Sequence, residues 1–355
     1  MRNLLIICQK VDTDDDVLGF FHGWISHIAP LCNTVNVITL SRGRVELPLN
    51  VSVVSLGKEK GRSKLFQAIK FYFHLFQMLP KSDGVFVHMA PEYVRAMYPL
   101  NVFFRKSVIL WYAHIKVSPL AKWAINKVDR VFTPSKESFA QESDSVVSTG
   151  HGIDVKKFAI LGIPKLFPPV ILAQSRISRV KRLHVLVEAI DELRKQYSKP
   201  FVCQIIGGTI YPDDEVYLSE LKAGIAEKKL GGVIEWVGAV RNSDMPKFYN
   251  EAKVFVRLQG GGGFGKTELE SMACGTPVVL PTPVYNDALG EFANDLYFPE
   301  DDATQCAKNI ESVLGWSDER EKEYAKLARH IVSSGHNIEN LAKRIVTTFD
   351  EIQNQ

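Results

Sequence analysis

Short apolar runs alternate with stretches of helical spacing along the whole chain. In the first half the runs are Leu4–Cys8, Val35–Leu40, Val51–Leu56, Gly84–His88, Ser107–Tyr112, Arg130–Thr133 and Val146–Thr149. Strands separated by helix-length patterns predict parallel βαβ units. A second series follows the proline-bearing stretch Ile160–Pro169: Val170–Ala173, Phe201–Ile206, Val233–Trp236, Val254–Arg257 and Pro277–Leu280. The pattern predicts an α/β chain of two Rossmann-like, doubly wound domains joined by a Pro/Gly-bearing hinge. The expected bounds are 1–160, 161–338 and a C-terminal helix over 339–355 packing back toward the first domain. Ligands of open parallel sheets bind outside the carboxyl ends of the strands. If the two sheets face each other, the site is the cleft between them.

Composition agrees with two cores, since 355 residues with 46% hydrophobic content exceed one ordinary domain. The five cysteines are far apart, without a C-x-x-C pair or a histidine at zinc spacing, so neither a disulfide framework nor a structural metal is signalled. A reducing cytoplasm fits, at the inner face of the cell membrane if the chain is peripheral. Leu4–Cys8 is too short for a signal-peptide core, and no run reaches the ~18 apolar residues that span a bilayer. Residues 1–157 carry 20 Lys+Arg against 13 Asp+Glu, and the remainder 23 against 27. Between Lys58 and Lys136 there are 14 basic residues against four acidic ones. That excess suits nucleic acid, an anionic membrane surface or an acidic acceptor.

The segment Gly260-Gly-Gly-Gly-Phe-Gly-Lys-Thr267 satisfies the phosphate-loop string G-x-x-x-x-G-K-[ST], follows a strand and opens a helix. Three features oppose a nucleoside triphosphatase. The loop lies in the last third of the chain, its helix ends within about two turns at Gly275, and the next strand offers no acid for magnesium. A glycine-rich turn at a helix N-terminus still presents backbone N–H groups to phosphate.

Gly263-Phe-Gly265, Glu270 and Ala273-Cys-Gly275-Thr-Pro277-Val-Val279 resemble the G-F-G-x-x-x-x-E-x-x-A-x-G-x-P-V-V signature of family 4 retaining GT-B glycosyltransferases, the group 1 glycosyl transferases. Ser175-Arg176-Ile177 with Lys181 resembles the family's G-R-(L/I)-x-x-x-K element, and Gly150-His-Gly-Ile-Asp154 its junction motif. The resemblance implies a GT-B architecture with a central cleft, and a nucleotide-sugar held by the C-terminal half. Arg176 and Lys181 would neutralise the donor diphosphate as it leaves, which cations can do without a metal. Glu270 would hold the ribose hydroxyls, since a carboxylate accepts twice from a vicinal diol; Glu268 is expected to be the solvated one. The base is expected near Gly207, Gly208 and Val240, and the diphosphate and sugar near Gly262, Gly263, Phe264, Gly265, Lys266 and Thr267. The family has a glutamate where this chain has Gly262, which bears on the donor sugar and on activity.

In the first half, Asp12, Asp14, Asp15 and Asp16 are expected to start the next helix, where the dipole favours acids, rather than to bind metal. Gly19 matches the glycine that lets the family's loop approach the donor phosphate. His114, just past a strand end, matches the histidine beside the reacting sugar, and His88 ranks second. His22, His27 and His74 read as helix residues and His151 as a junction residue. The helix Lys64–Leu79 confines polar residues to a narrow stripe, so it is either buried on most sides, the favoured reading, or rests a basic-edged apolar face on a membrane.

The expected function is metal-independent, retaining transfer of a hexose-type sugar. The donor would be a nucleotide diphosphate sugar, UDP before GDP, and the acceptor a glycan or lipid-linked precursor in cell-surface polysaccharide synthesis. No cofactor and no nucleic acid partner are expected. Two alternatives remain: a non-catalytic GT-B protein that binds nucleotide-sugar or partners a transferase, and a phosphotransferase using Lys266 and Thr267.

Overall fold

The computed structural model describes every residue except 115–116, 139–144, 262 and 355. Gly262 therefore lies outside the described residues. The chain divides into two compact units: unit 1 is Met1–Asp154 with His336–Gln355, and unit 2 is Val155–Gly335. The division precedes the expected hinge because residues 155–169 are tied to unit 2. Leu161 N–H donates to Asn250 Oδ1 (2.8 Å), Leu166 N–H to the Glu251 carbonyl (3.0 Å) and the Lys165 ammonium to the Ala252 carbonyl (2.6 Å).

Unit 1 is built on strands β1 (Arg2–Val11), β2 (Cys32–Arg42), β3 (Val51–Ser55), β4 (Gly84–His88), β5 (Ser107–Trp111), β6 (Arg130–Thr133) and β7 (Val146–Ser148). They form one parallel sheet in the order β3-β2-β1-β4-β5-β6-β7. Because side chains alternate across a strand, β1 sends Leu4, Ile6 and Cys8 toward Trp24, Ile345 and Phe349, and Leu5 and Ile7 toward Phe71, Leu75 and Val94. Both faces are covered, which explains the uninterrupted apolar run. The C-terminal helix Ile338–Gln353 supplies one cover through Ile338, Leu341, Ala342, Ile345 and Phe349, spaced at helical intervals. It packs so closely that a Cβ on Gly84 would lie 2.5 Å from the Phe349 ring.

Two expectations are corrected in this unit. The helix Lys64–Met78 is not buried on most sides: only Phe71 and Leu75 are, because a helix resting on one sheet face covers one stripe. The Asp12–Asp16 cluster does not start a helix, which begins instead at Gly19 with no acid in its first turn. Asp15 turns back to accept from the Val17 (2.9 Å) and Leu18 N–H groups and to pair with Lys10, which also lies 3.2 Å from Asp12. A short acidic side chain bonding its own backbone competes with helix at such a position.

Unit 2 repeats the plan with β8 (Val170–Gln174), β9 (Val202–Ile206), β10 (Ile234–Gly238), β11 (Val254–Val256) and β12 (Val278–Val279), parallel in the order β10-β9-β8-β11-β12.

Candidate functional site

The strand order of unit 2 reverses between β8 and β11, and the carboxyl ends of such a pair form the crevice where ligands bind open α/β sheets. A cavity of about 200 Å³ stands there, lined by Gln174, Ser175, Lys181, Arg257, Gln259 and the stretch Gly265–Glu268. The lining follows from the sheet topology: each lining segment is a strand end, the loop leaving it or the first turn of the helix after it.

Lys181 donates to Gln259 Oε1 at 2.7 Å. Burial, then the neighbouring Arg257 and Arg176 guanidinia, pull its pKa below the ordinary lysine value, and Glu268 opposes them in part. Cations held this close in a partly dry wall attract negative charge, part of which Glu268 already supplies. Ser175 Oγ, buried in the same wall, has no hydrogen-bond partner among the described residues. Glu268 is only 1% exposed, which corrects its expected solvation. It pairs with Arg257, and its Oε1 accepts the Gly265 N–H at 2.7 Å, a capping-box contact at the N-terminus of helix Lys266–Ala273. The Thr267 hydroxyl donates to its Oε2 at 3.2 Å. Sequence reasoning missed Arg257 and Gln259. Two signals were present: a charged residue directly after an apolar strand, and G-x-x-E at a helix start.

The helix Lys266–Ala273 is enclosed from Glu268 onward. Glu270, also 1% exposed, accepts from Asn242 Nδ2 at 3.2 Å, with the Tyr249 hydroxyl at 3.4 Å and the Lys266 ammonium at 3.9 Å. Burial lifts its pKa above the ordinary carboxylate value, against the pull of Lys266, Asn242, Lys157 and Tyr249. Thus Lys266 and Thr267 both engage carboxylates of their own helix. Gly263 is buried, and Phe264 stands edge-on to Tyr285 with ring centroids 4.5 Å apart, pinning the glycine loop. The helix stops in a Schellman turn: Gly275 at φ +79° donates to the Met272 carbonyl and Thr276 to that of Ser271. The local A-C-G-T-P string is thereby accounted for.

Arg176 is not in the Lys181 cavity. It lines an adjoining hollow, 4.0 Å from Asp214 Oδ2, with its guanidinium over Tyr211 (5.5 Å) and Nε 3.4 Å from Ser178 Oγ. Gly207 and Gly208 hold this loop in place: Gly207, at φ +142°, comes so near that a Cβ would lie 1.8 Å from the Ser175 carbonyl oxygen. Ile177 N–H donates to the Gly208 carbonyl at 2.9 Å. Val240 is half-buried in the loop after β10. At the other end of the glycine loop, Gly260 N–H donates to Glu300 Oε1 (3.0 Å), itself held by Arg182 Nε at 2.9 Å.

In unit 1, Gly19 opens the helix Gly19–Ile28 and donates to the Asp15 carbonyl at 3.2 Å. His114 is exposed beyond β5, edge-on to Tyr112, with its pKa pulled down by the water that neighbouring protein displaces. His88 is buried between Phe21 (centroids 4.1 Å) and Trp111 (5.2 Å), both nearly parallel to its ring. His22 accepts from Glu46 N–H (3.0 Å), and His151 N–H donates to His336 Nδ1 (3.3 Å).

Residues 159–330 match the family described as glycosyl transferases group 1. Spore coat protein SA of Bacillus subtilis (strain 168) is 24% identical over 188 residues, covering 51% of this chain and 48% of that protein. The lipopolysaccharide core biosynthesis mannosyltransferase LpcC of Rhizobium leguminosarum bv. viciae is 25% identical over 193 residues, 51% of each. The chain spans about half the length of these two relatives. The structure of Anabaena Alr3699/HepE in complex with UDP and glucose superposes with a TM-score of 0.74 at 16% identity, covering 99% of this chain and 100% of that one. Residues 159–330 are thus similar to the glycosyl transferases group 1 family, and the fold of the chain is that of the GT-B glycosyltransferases.

Proposed function

We propose that this chain is a retaining glycosyltransferase whose nucleotide-sugar donor occupies the cavity at the β8/β11 switch point. The observation that supports this best is the convergence there of Lys181 and the N-terminal turn of the Lys266–Ala273 helix, with Glu270 buried one turn further along that helix. The diphosphate would lie on the helix N-terminus and Lys181, where a cation and backbone dipoles stabilise the charge that grows as the sugar–phosphate bond breaks. Arg176 would join them by leaving Ser178 and Asp214. Glu270 would hold the ribose hydroxyls and the loop around Val240 the base edge. The acceptor hydroxyl attacks the anomeric carbon on the face the phosphate leaves, and its proton passes to the departing phosphate oxygen, so no protein nucleophile or cofactor is required. His114 of unit 1 would serve the sugar or acceptor through hydrogen bonds. That the Anabaena protein is seen with UDP and LpcC is named for lipopolysaccharide favours UDP and a hexose passed to a cell-surface glycan or its lipid-linked precursor.

A thermal-shift series with UDP, GDP, ADP and magnesium-ATP, followed by turnover of the purified chain, tests the reading. Free ligand at 100 times its dissociation constant adds about 2.7 kcal/mol. UDP stabilisation without metal together with sugar transfer supports it. Stabilisation by magnesium-ATP alone would mean a phosphate loop using Lys266 and Thr267, and UDP binding without turnover a non-catalytic binding protein.

A further inference from the structure

One surface of unit 1 takes no part in the donor chemistry. The helix Lys64–Met78 turns Phe71 and Leu75 inward and leaves Leu65, Phe66, Ile69, Tyr72, Phe73 and Phe76 exposed, Leu65 by 72% and Phe76 by 64%. Positions 65, 69, 72, 73 and 76 recur at steps of three and four and therefore share one face. The neighbouring helix Pro91–Phe104 lies alongside, with Tyr72 donating to the Ala96 carbonyl at 3.1 Å. Its end meets the end of the first helix, since the Lys106 ammonium donates to the Pro80 carbonyl at 3.1 Å. There it adds Val102 and Phe103, the latter 81% exposed. An apolar, aromatic surface this continuous is rare on a free protein and marks an interaction site.

Charge decides what covers it. Lys58, Lys60, Arg62 and Lys64 are exposed immediately before the apolar face, and residues 58–106 hold nine Lys+Arg against three Asp+Glu. The Arg62 guanidinium lies over the Phe66 ring, 5.2 Å from its centroid, which places a cation on the rim of the apolar patch. A second copy meeting the same face across a two-fold axis would set these cations against each other. A bilayer with anionic headgroups takes both features at once: the aromatic and aliphatic side chains enter the headgroup–acyl boundary while the cations stay at the phosphates.

We propose that this face docks unit 1 on an anionic lipid bilayer, with the helix Lys64–Met78 lying in the plane of the interface. Among the described residues no helix is long and apolar enough to cross a membrane.

Sedimentation of the full chain with phosphatidylcholine vesicles, with and without phosphatidylglycerol, at low and high salt, tests this. The expected result is binding to the mixed vesicles at least about tenfold above phosphatidylcholine alone, falling with salt. A variant combining Leu65→Ser, Ile69→Ser, Phe73→Ser and Phe76→Ser should lose it, and one combining Lys58→Glu, Lys60→Glu and Lys64→Glu should weaken it. Both sets sit on exposed positions, so an unchanged thermal midpoint certifies the fold. Equal binding to both vesicles, no binding to either, or a dimer in sedimentation velocity that the serine variant dissociates would each overturn the proposal.

Discussion

The two units share the strand order 3-2-1-4-5 around their reversal points and fill those points with opposite chemistry. At the β1/β4 point of unit 1, His88 is stacked between Phe21 and Trp111, and Trp24 closes on it edge-on at 5.3 Å. Rings pack the crevice. At the β8/β11 point of unit 2 stand Lys181, Arg257 and Glu268 around a cavity, with Glu270 buried just behind. Topology supplies an address in both cases, but side chains decide whether it is plugged or left for a ligand. Aromatic rings need only contact, whereas buried charges need partners and leave residual donors directed into the space they line.

Four substitutions would break or sharpen this contrast. The largest effect is expected from Arg257→Ala, which strands the buried Glu268 carboxylate; unfolding in urea should show a loss of about 3–5 kcal/mol. Next, Lys181→Ala should lower kcat by about a hundredfold or more with the fold intact, as loss of a charge-stabilising donor does, measured in single-chain turnover with UDP-sugar. Undiminished turnover would remove Lys181 from the reaction.

A smaller effect should appear as a pH dependence in Glu270→Gln. Burial holds the Glu270 pKa above its ordinary 4.5, so the folded state binds this proton more tightly than the unfolded state. The resulting stability is fully present below that ordinary value and is lost as pH rises through the raised one. The glutamine variant lacks this dependence, and its stability relative to wild type should rise in urea titrations as pH climbs above the ordinary carboxylate value of 4.5. A pH-independent difference would mean that Asn242, Tyr249 and Lys266 already balance the burial. The smallest change belongs to unit 1: His88→Phe keeps the stack and should cost less than about 1.5 kcal/mol of unfolding free energy, with UDP binding unchanged.

Among the described residues each strand lies on an apolar run visible in the sequence, most directly in strands such as Leu4–Cys8 and Gly84–His88 that are covered on both faces. Gly275 was equally legible, because a left-handed residue after a helix is a local demand. Glu268 was not. Two acids two positions apart on a helix read as one buried and one solvated, yet the helices Met245–Glu251 and Asp318–Gly335 pack against this helix, and both acids are buried. The partner that makes this possible, Arg257, is eleven positions earlier, on another element.

The sequence by itself determined the alternation of strands and helices, the two sheets and the glycine turn that opens the helix Lys266–Ala273, because those rest on short-range periodicity and backbone preference. Only the tertiary structure decided that Arg176 turns to Asp214 and Tyr211 rather than into the Lys181 cavity. It alone decided, too, that Lys64–Met78 shows its aromatic face instead of hiding it. Both outcomes depend on which distant segment arrives opposite a side chain, a property of the packed whole that no local window of residues contains.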